Sequence, residues 1–216
     1  MEGSPTYIYG GKQAALKIQE VLGDVKLIIS LRNPIHQLFS LYKHKLRFME
    51  IDANESFYSF VQKREDHYRQ YYDLHLKEWF EVFGDNIKCI FFDELIADPT
   101  TVLEDIVNWL DLPPMSLADE PLENTNPGGT YRYKFAHNIA LKIFHKIKDH
   151  LPHAAFLAIR KLYFKINGRK VTYTISPDAQ QYLEVLFAPH NKALHTLLSE
   201  HGYKTFPEWL SGSIES

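Results

Sequence analysis

The sequence has almost no cysteine: Cys89 is the single one among 216 residues. One cysteine excludes an internal disulfide framework and a cysteine-rich metal site, and the apolar context KCIFF predicts a small core residue. Long apolar runs are missing too. None approaches the roughly 20 residues that cross a bilayer, and residues 1–5 do not begin a signal peptide. We therefore expect no transmembrane segment and a cytoplasmic location.

The chain also lacks an excess of charge of either sign. Its formal net charge is −3, so the total gives no bulk attraction to nucleic acid, and we expect no nucleic-acid partner. With 45% hydrophobic residues the composition is globular, and the length favours a single domain over residues 1–216. One segment, residues 132–170, carries ten Lys or Arg against one acid. It either faces an anionic ligand or a membrane surface, or is the solvated side of amphipathic helices.

Repeats and low-complexity tracts are absent, so glycine and proline mark the element boundaries. Apolar spacing predicts a helix over 12–22 that ends at Gly23. The aliphatic run Val25–Leu31 predicts a parallel strand covered on both faces. Asn33 and Pro34 predict the N-cap and the first residue of a helix that reaches about residue 48.

The same strand and helix pattern recurs further along the chain. Residues 55–83 predict a long helical region, residues 87–92 a second buried strand, and Asp98-Pro99 the start of another helix. Alternating strands and helices indicate an α/β fold with a parallel sheet. Residues 134–165 look mostly helical, and 177–201 predict a final helix that Pro189 breaks.

An arginine ends the first predicted strand. Arg32 at the carboxyl end of a parallel strand, followed at once by a helix N-terminus, places a guanidinium fork and free backbone N–H groups around one point. That point suits a phosphate, and Ser40 on the same helix could donate its hydroxyl to the same anion. Alternatively, Arg32 pairs with a carboxylate at the sheet edge and Ser40 is an exposed helix residue. The residues alone leave these two interpretations open.

RNPIHQLFSLYKH resembles the 3′-phosphate-binding segment of the sulfotransferases that use 3′-phosphoadenosine 5′-phosphosulfate (PAPS). In that family an arginine is followed by Asn or Asp, then Pro, with a serine eight residues after the arginine. Further segments resemble the family in its order: EGSPTYIY, YYDLHLKEWFEVFG, FFDELIADPTTVLEDIVNWLDLP and LFAPHNKALHTLL with FPEW. The resemblance extends over nearly the whole chain, and the bacterial and Golgi-type members are the most similar. It implies a P-loop-NTPase-like parallel sheet flanked by helices.

The resemblance also implies site residues. Arg32 and Ser40 match the ligands of the cofactor 3′-phosphate, and Arg132 and Lys134, in a loop where the family closes over that phosphate, are further candidates. Tyr72 matches a recurrent tyrosine seven residues before the helix tryptophan, with a core role as the alternative. The family acidic pair corresponds to Asp93-Glu94, for which we expect structural roles.

The family's first strand and phosphate loop have no counterpart in this sequence. The one glycine-lysine run, residues 10–12, lacks the required spacing and a preceding strand, so it more plausibly starts a helix. The catalytic base would belong to the same absent segment and stays unassigned. Gly3 stands where many Golgi-type members have a lysine that contacts the acceptor.

Three interpretations follow from these residues. The first is a sulfotransferase domain, N-terminally incomplete in this sequence, that transfers a sulfuryl group from PAPS, without a metal, to a hydroxyl or amine of a small-molecule or glycan acceptor. The second is a non-catalytic remnant that binds the 3′-phosphoadenosine moiety or a partner. The third is an unrelated adenylate-binding or kinase-like α/β domain. The resemblance favours the first.

Overall fold

The computed structural model describes residues 6–47, 50–52, 54–64, 67–113, 130–131, 158–159, 162–163, 165–166, 168–169 and 173–212. Its elements in chain order are α1 (Gly11–Leu22), β1 (Leu27–Leu31), α2 (Pro34–Arg47), α3 (Phe57–Gln62), α4 (Tyr72–Phe83), β2 (Ile87–Phe91), α5 (Phe92–Ala97), α6 (Pro99–Trp109), β3 (Thr130–Tyr131), β4 (Gly168–Arg169), α7 (Pro177–Glu200) and α8 (Glu208–Ser211). Short 3₁₀ turns cover Tyr7–Gly10, His67–Gln70 and Gly84–Asn86.

Strands β1 and β2 pair in parallel, with Leu27 opposite Ile87 and Leu31 opposite Phe91. This pairing confirms the α/β class and the parallel sheet. β1 begins at Leu27, two residues later than the aliphatic run predicts. In a parallel pair both carboxyl ends lie at the same edge, so the residues that follow the two strands are neighbours.

One face of this sheet is packed against helices. Leu31, Ile87, Cys89 and Phe91 join a buried cluster with side chains of α1, α4, α7 and α8. The alternate β1 residues face the other way, and Ile28 is 37% exposed. The expectation that β1 is covered on both faces is therefore wrong for the part of the chain that the structure describes, because Ile28 and Ser30 are exposed.

Helix α1 begins at the glycine-lysine run, as the sequence predicts. Gly11 has φ +58°, and the backbone N–H of Lys12 donates to a carboxylate oxygen of Glu78 at 2.8 Å. The Lys12 ammonium pairs with Glu81 at 2.7 Å. These residues dock α1 onto α4 and do not form a phosphate loop.

The helical region predicted over 55–83 is interrupted. It consists of α3, a 3₁₀ turn and α4 in succession, and α4 ends at Phe83, the last residue of the predicted region. The predicted caps are confirmed. Asn33 Oδ1 accepts from the Ile35 N–H at 2.9 Å, and Asp98 Oδ1 accepts from the Thr101 N–H at 3.1 Å.

Helix α7 runs unbroken for 24 residues, and the predicted break at Pro189 is wrong. Proline removes the N–H that would bond to the carbonyl four residues earlier, on Val185. Pro189 is exposed and Val185 is 72% exposed, so water can satisfy that carbonyl. None of the helices in the described ranges is both long and apolar enough to span a membrane.

The chain divides into two compact units, one comprising Met1–Leu38, Val61–Leu122 and Ser176–Ser216, the other Phe39–Phe60 and Glu123–Ile175. The second unit contains an aromatic cluster in which Tyr42 lies within 5.4 Å of both Phe57 and Phe60, and its hydroxyl donates to the Glu55 carbonyl at 2.6 Å. β3 and β4 pair antiparallel there. The single-domain interpretation stays a prediction. The expected helix over 134–165 lies mostly outside the described residues.

Candidate functional site

Arg32 and Phe92 come directly after β1 and β2, at the carboxyl edge of the sheet. The guanidinium carbon of Arg32 lies 4.7 Å from the centre of the Phe92 ring, which is a cation–π distance. The ring packs on one face of the guanidinium, and this contact does not use the in-plane N–H donors. The parallel pairing therefore presents a planar cation where α/β proteins bind ligands.

The charge of Arg32 has no carboxylate partner among the described residues. Its Nε is buried, and no described hydrogen bond satisfies it. A half-buried guanidinium without a counter-ion is costly unless a ligand or solvent pairs with it. This arrangement disfavours the alternative in which Arg32 forms a structural ion pair at the sheet edge, and it favours an anion site.

Helix α2 adds its N-terminus to the same edge. Asn33 caps it, Pro34 opens it, and no acidic residue lies in its first turn. The positive end of the helix dipole is therefore not neutralised by a neighbouring carboxylate of the helix itself. The expectation of free backbone N–H groups here is wrong for the first turn, because Pro34 has no N–H and those of Ile35 and His36 donate to Asn33 Oδ1. The helix dipole and Arg32 still attract the same kind of ligand, an oxyanion.

A buried polar cluster lies beside Arg32. The hydroxyl of Tyr72 donates to Gln37 Oε1 at 2.8 Å, and Gln70 Nε2 donates to the same oxygen at 3.3 Å. Burial raises the pKa of Tyr72, while the backbone N–H and the guanidinium of Arg32 act in the opposite direction. The phenol is therefore neutral at physiological pH and lies within electrostatic reach of Arg32.

The acidic pair after β2 has a different environment. Asp93 Oδ2 accepts from the indole N–H of Trp209 at 3.0 Å, which attaches α8 to the sheet edge. Burial raises the pKa of Glu94, and the charges of Asp93 and Asp105 add to the rise. The Trp209 contact agrees with the structural role expected for Asp93.

A cleft of about 480 Å³ opens at this edge, and we call it the carboxyl-edge cleft. It lies between the start of α2 and helices α7 and α8, and Asn33, Ile35, Phe187, Asn191 and Trp209 are among its lining residues. Asn33 follows Arg32 in the chain, and Trp209 is bound to Asp93. The cleft therefore adjoins the residues that follow both strands.

A second cleft, of about 460 Å³, lies along the outer edge of β2. Its lining includes Trp109, Tyr203 and the ion pair between Lys88 and Asp105, whose N–O distance is 2.7 Å. We call it the β2-edge cleft. The carboxylate of Asp105 neutralises the charge of Lys88 here, whereas Arg32 has no such partner among the described residues. This cleft therefore attracts an anion less strongly than the carboxyl edge does.

The structure describes only two of the four residues predicted to bind the cofactor. Arg32 lies at the carboxyl edge in the first unit, and Ser40 is a half-buried residue of α2 in the second unit. Arg132 and Lys134 lie outside the described residues. All four assignments stay predictions.

Sequence reasoning missed the two glutamines. Gln37 lies within the segment RNPIHQLFSLYKH but was assigned no role there, Gln70 lies 33 positions later, and nothing in the sequence pairs the two. Gln37 occupies the first turn after the RNP tripeptide, and Gln70 precedes Tyr71 and Tyr72. Only this proximity to the recognised segments could have drawn attention to them.

Comparisons with known proteins bear on the same residues. The family model described as "Sulfotransferase family" matches residues 12–116, which include β1, Arg32 and β2. Two curated relatives, each named bifunctional heparan sulfate N-deacetylase/N-sulfotransferase 1, come from Caenorhabditis briggsae (25% identical) and Caenorhabditis elegans (27% identical). Each alignment covers 99% of this chain and 24% of the relative, so the chain spans about a quarter of their length.

A crystal structure of a sulfotransferase from Alicyclobacillus acidocaldarius has a similar fold. Its TM-score is 0.59 at 21% sequence identity, over 94% of this chain and 64% of that one. It agrees with the α/β arrangement of a small parallel sheet flanked by helices. Residues 12–116 therefore match the sulfotransferase family model, and the fold over most of the chain is similar to that of a sulfotransferase.

Proposed function

We propose that this chain is a sulfotransferase domain that uses PAPS and binds the 3′-phosphate of that nucleotide through Arg32, with Ser40 as the second ligand. The observation that carries the proposal is the Arg32 guanidinium, which lies at the carboxyl edge without a carboxylate partner among the described residues. The match of residues 12–116 to the sulfotransferase family model supports PAPS as the co-substrate. The 3′-phosphate distinguishes this nucleotide from ordinary adenylates, so a dedicated arginine gives selectivity as well as affinity.

Sulfuryl transfer requires an acceptor oxygen or nitrogen held in line, a base for its proton, and a positively charged group beside the leaving oxygen, where negative charge develops. The carboxyl edge of this chain supplies the nucleotide anchor. The two relatives named as heparan sulfate N-sulfotransferases support an amine or hydroxyl on a glycan or small molecule as the acceptor class. Arg132 and Lys134 remain candidates for closing over the 3′-phosphate, and the catalytic base stays unassigned.

A second candidate is a non-catalytic domain that binds the 3′-phosphoadenosine moiety alone. The observation that favours it is the glycine-lysine run, where Lys12 is paired with Glu81 and opens α1. Within the described residues this run is therefore not a cradle for the 5′-phosphosulfate. Incubating the chain with PAPS and glycan acceptors bearing amines or hydroxyls separates the candidates. Sulfated product supports the enzyme, whereas nucleotide binding without product supports the second candidate.

The proposal predicts a preference for nucleotides that carry a 3′-phosphate. Calorimetric titration of the chain with 3′-phosphoadenosine 5′-phosphate should give a higher affinity than titration with adenosine 5′-phosphate. Arg32→Ala should reduce the affinity for the bisphosphate by about 1.5–3 kcal/mol, the range for a hydrogen bond to a charged group. The affinity for the monophosphate should change little.

Lys26→Ala is the matched control. It removes one positive charge just before β1, at the other end of the strand from Arg32, where the Lys26 ammonium contacts Asp111 at 2.7 Å. This variant should keep the preference for the bisphosphate. Equal affinities of the unmodified chain for the two nucleotides, or an unchanged preference in Arg32→Ala, would count against the site.

A further inference from the structure

Tyr72, Gln37 and Gln70 form the buried polar cluster beside Arg32, which we call the Tyr72 cluster. It joins three segments of the chain at a single acceptor atom. Gln37 Oε1, on the first turns of α2, accepts from the Tyr72 hydroxyl on α4 and from the Gln70 amide in the preceding 3₁₀ turn. Tyr72 and Gln70 are both 4% exposed. Buried hydrogen bonds of this kind fix the relative position of the segments that they connect, because breaking one leaves a polar group unpaired in the interior.

The cluster reaches Arg32 directly. The backbone N–H and the guanidinium of Arg32 both act electrostatically on the Tyr72 phenol. Arg32 precedes the α2 N-cap, and Gln37 follows that cap by four residues. The phenol therefore interacts with the β1–α2 turn on both sides of Asn33.

Two polar atoms in this region are buried without a hydrogen-bond partner among the described residues, Arg32 Nε and Gln70 Oε1. Buried unsatisfied polar atoms are rare in native proteins, and each calls for an explanation. A structural packing role explains the buried ring of Tyr72, but it explains neither atom. A polar region prepared around a ligand-binding guanidinium explains Arg32 Nε, whose N–H an anion can accept from, whereas Gln70 Oε1 is itself an acceptor and an anion does not explain it.

We infer that Tyr72 is a positioning residue, which fixes the β1–α2 turn through Gln37 and the Arg32 backbone so that the Arg32 guanidinium is prepared for the 3′-phosphate. The inference rests on the proposed function. The side chain that contacts the anion is Arg32, and Tyr72 acts through it. Preorganisation increases affinity because the turn does not have to be ordered when the ligand binds.

Tyr72→Phe tests the inference, because it keeps the ring and removes only the hydroxyl. We expect the ratio of the affinities for 3′-phosphoadenosine 5′-phosphate and adenosine 5′-phosphate to fall about two- to tenfold, the range for one neutral hydrogen bond. The affinity for the monophosphate should stay the same. Gln37→Ala, which removes the acceptor from a half-buried position, should lower the ratio in the same direction.

Tyr203→Phe is a closely matched control. The Tyr203 hydroxyl accepts a hydrogen bond from the backbone N–H of Cys89 at 2.7 Å. This contact lies in the middle of β2, away from the β1–α2 turn. Both phenylalanine variants should lower the thermal midpoint, whereas only Tyr72→Phe should alter the ratio. If a general loss of stability were the cause, the affinity ratio would change in both variants alike.

A double variant tests whether Tyr72 acts by positioning Arg32 or contributes independently to the preference for the bisphosphate. If Tyr72 acts through Arg32, Tyr72→Phe combined with Arg32→Ala should discriminate between the nucleotides no worse than Arg32→Ala alone. An additive loss, or an unchanged ratio in a folded Tyr72→Phe protein, overturns the inference while the Arg32 site stands. If the unmodified chain shows no preference for the bisphosphate, the proposed function and this inference both fail.

Discussion

Cys89 shows how the environment of one residue determines its chemistry. Burial raises the pKa of its thiol to about 12, and the hydrogen bond from the Tyr203 side chain offsets only part of that rise. The thiol is therefore neutral at physiological pH. Because the folded pKa is higher than the unfolded one, the neutral thiol contributes to stability below about pH 8.5, and that contribution is lost as the pH rises toward 12.

We expect Cys89 to resist alkylation in the folded protein. At pH 8, labelling by iodoacetamide should be at least about a hundredfold slower than in urea-unfolded protein, because the thiolate is the reactive form and the side chain is buried. Mass spectrometry of timed samples measures both rates. Rapid labelling of the folded chain would show that Cys89 is accessible, contrary to the packing of β2.

The position or burial of a residue could be predicted from the sequence where it follows from a local pattern. The position of Arg32 follows from a strand, an arginine and a proline in succession, and the burial of Cys89 follows from its apolar neighbours. The roles of Gln37 and Gln70 depend on a contact between segments that are far apart in the sequence. Spacing rules for a single strand or helix carry no information about such a contact.

Among the secondary-structure elements, helix α7 shows that context decides the effect of a proline. A proline inside a helix is normally read as a break, because it removes one hydrogen bond and its ring crowds the preceding turn. Leu183, Phe187, Leu194 and Leu198 are buried on both sides of Pro189, so tertiary packing holds the helix together across it. The helix predicted over 177–201 is confirmed, but the proline rule wrongly predicted its interruption.

Replacing this proline should stabilise the protein. Pro189→Ala restores the N–H that can bond to the Val185 carbonyl and removes a residue of very low helix propensity, without altering the core, since position 189 is exposed. We expect the free energy of unfolding in urea to rise by about 1–3 kcal/mol. Lys192→Ala, at an exposed position of the same helix, should change it by a few tenths at most. A decrease for Pro189→Ala would show that the proline stabilises the native helix.

At the scale of the whole molecule, the two clefts offer alternative sites for a nucleotide. The carboxyl-edge cleft adjoins Asn33, which follows Arg32, whereas the β2-edge cleft has Lys88 already paired with Asp105. The parallel sheet was predictable from alternating strands and helices. The locations of the clefts were not, because they depend on how α7 and α8 pack against that sheet.

Hydrogen exchange with and without 3′-phosphoadenosine 5′-phosphate distinguishes the two clefts. Bound nucleotide should slow exchange in peptides covering residues 31–38 and 91–95, where the backbone leaves β1 and β2, because a ligand held at this edge reduces the local opening of these turns. Peptides covering residues 84–88 and 201–205, along the β2-edge cleft, should exchange at the same rate with and without nucleotide. Arg32→Ala should abolish the protection at equal nucleotide concentration. Protection confined to the second pair of peptides would place the nucleotide in the β2-edge cleft, and the role of Arg32 would then have to be abandoned.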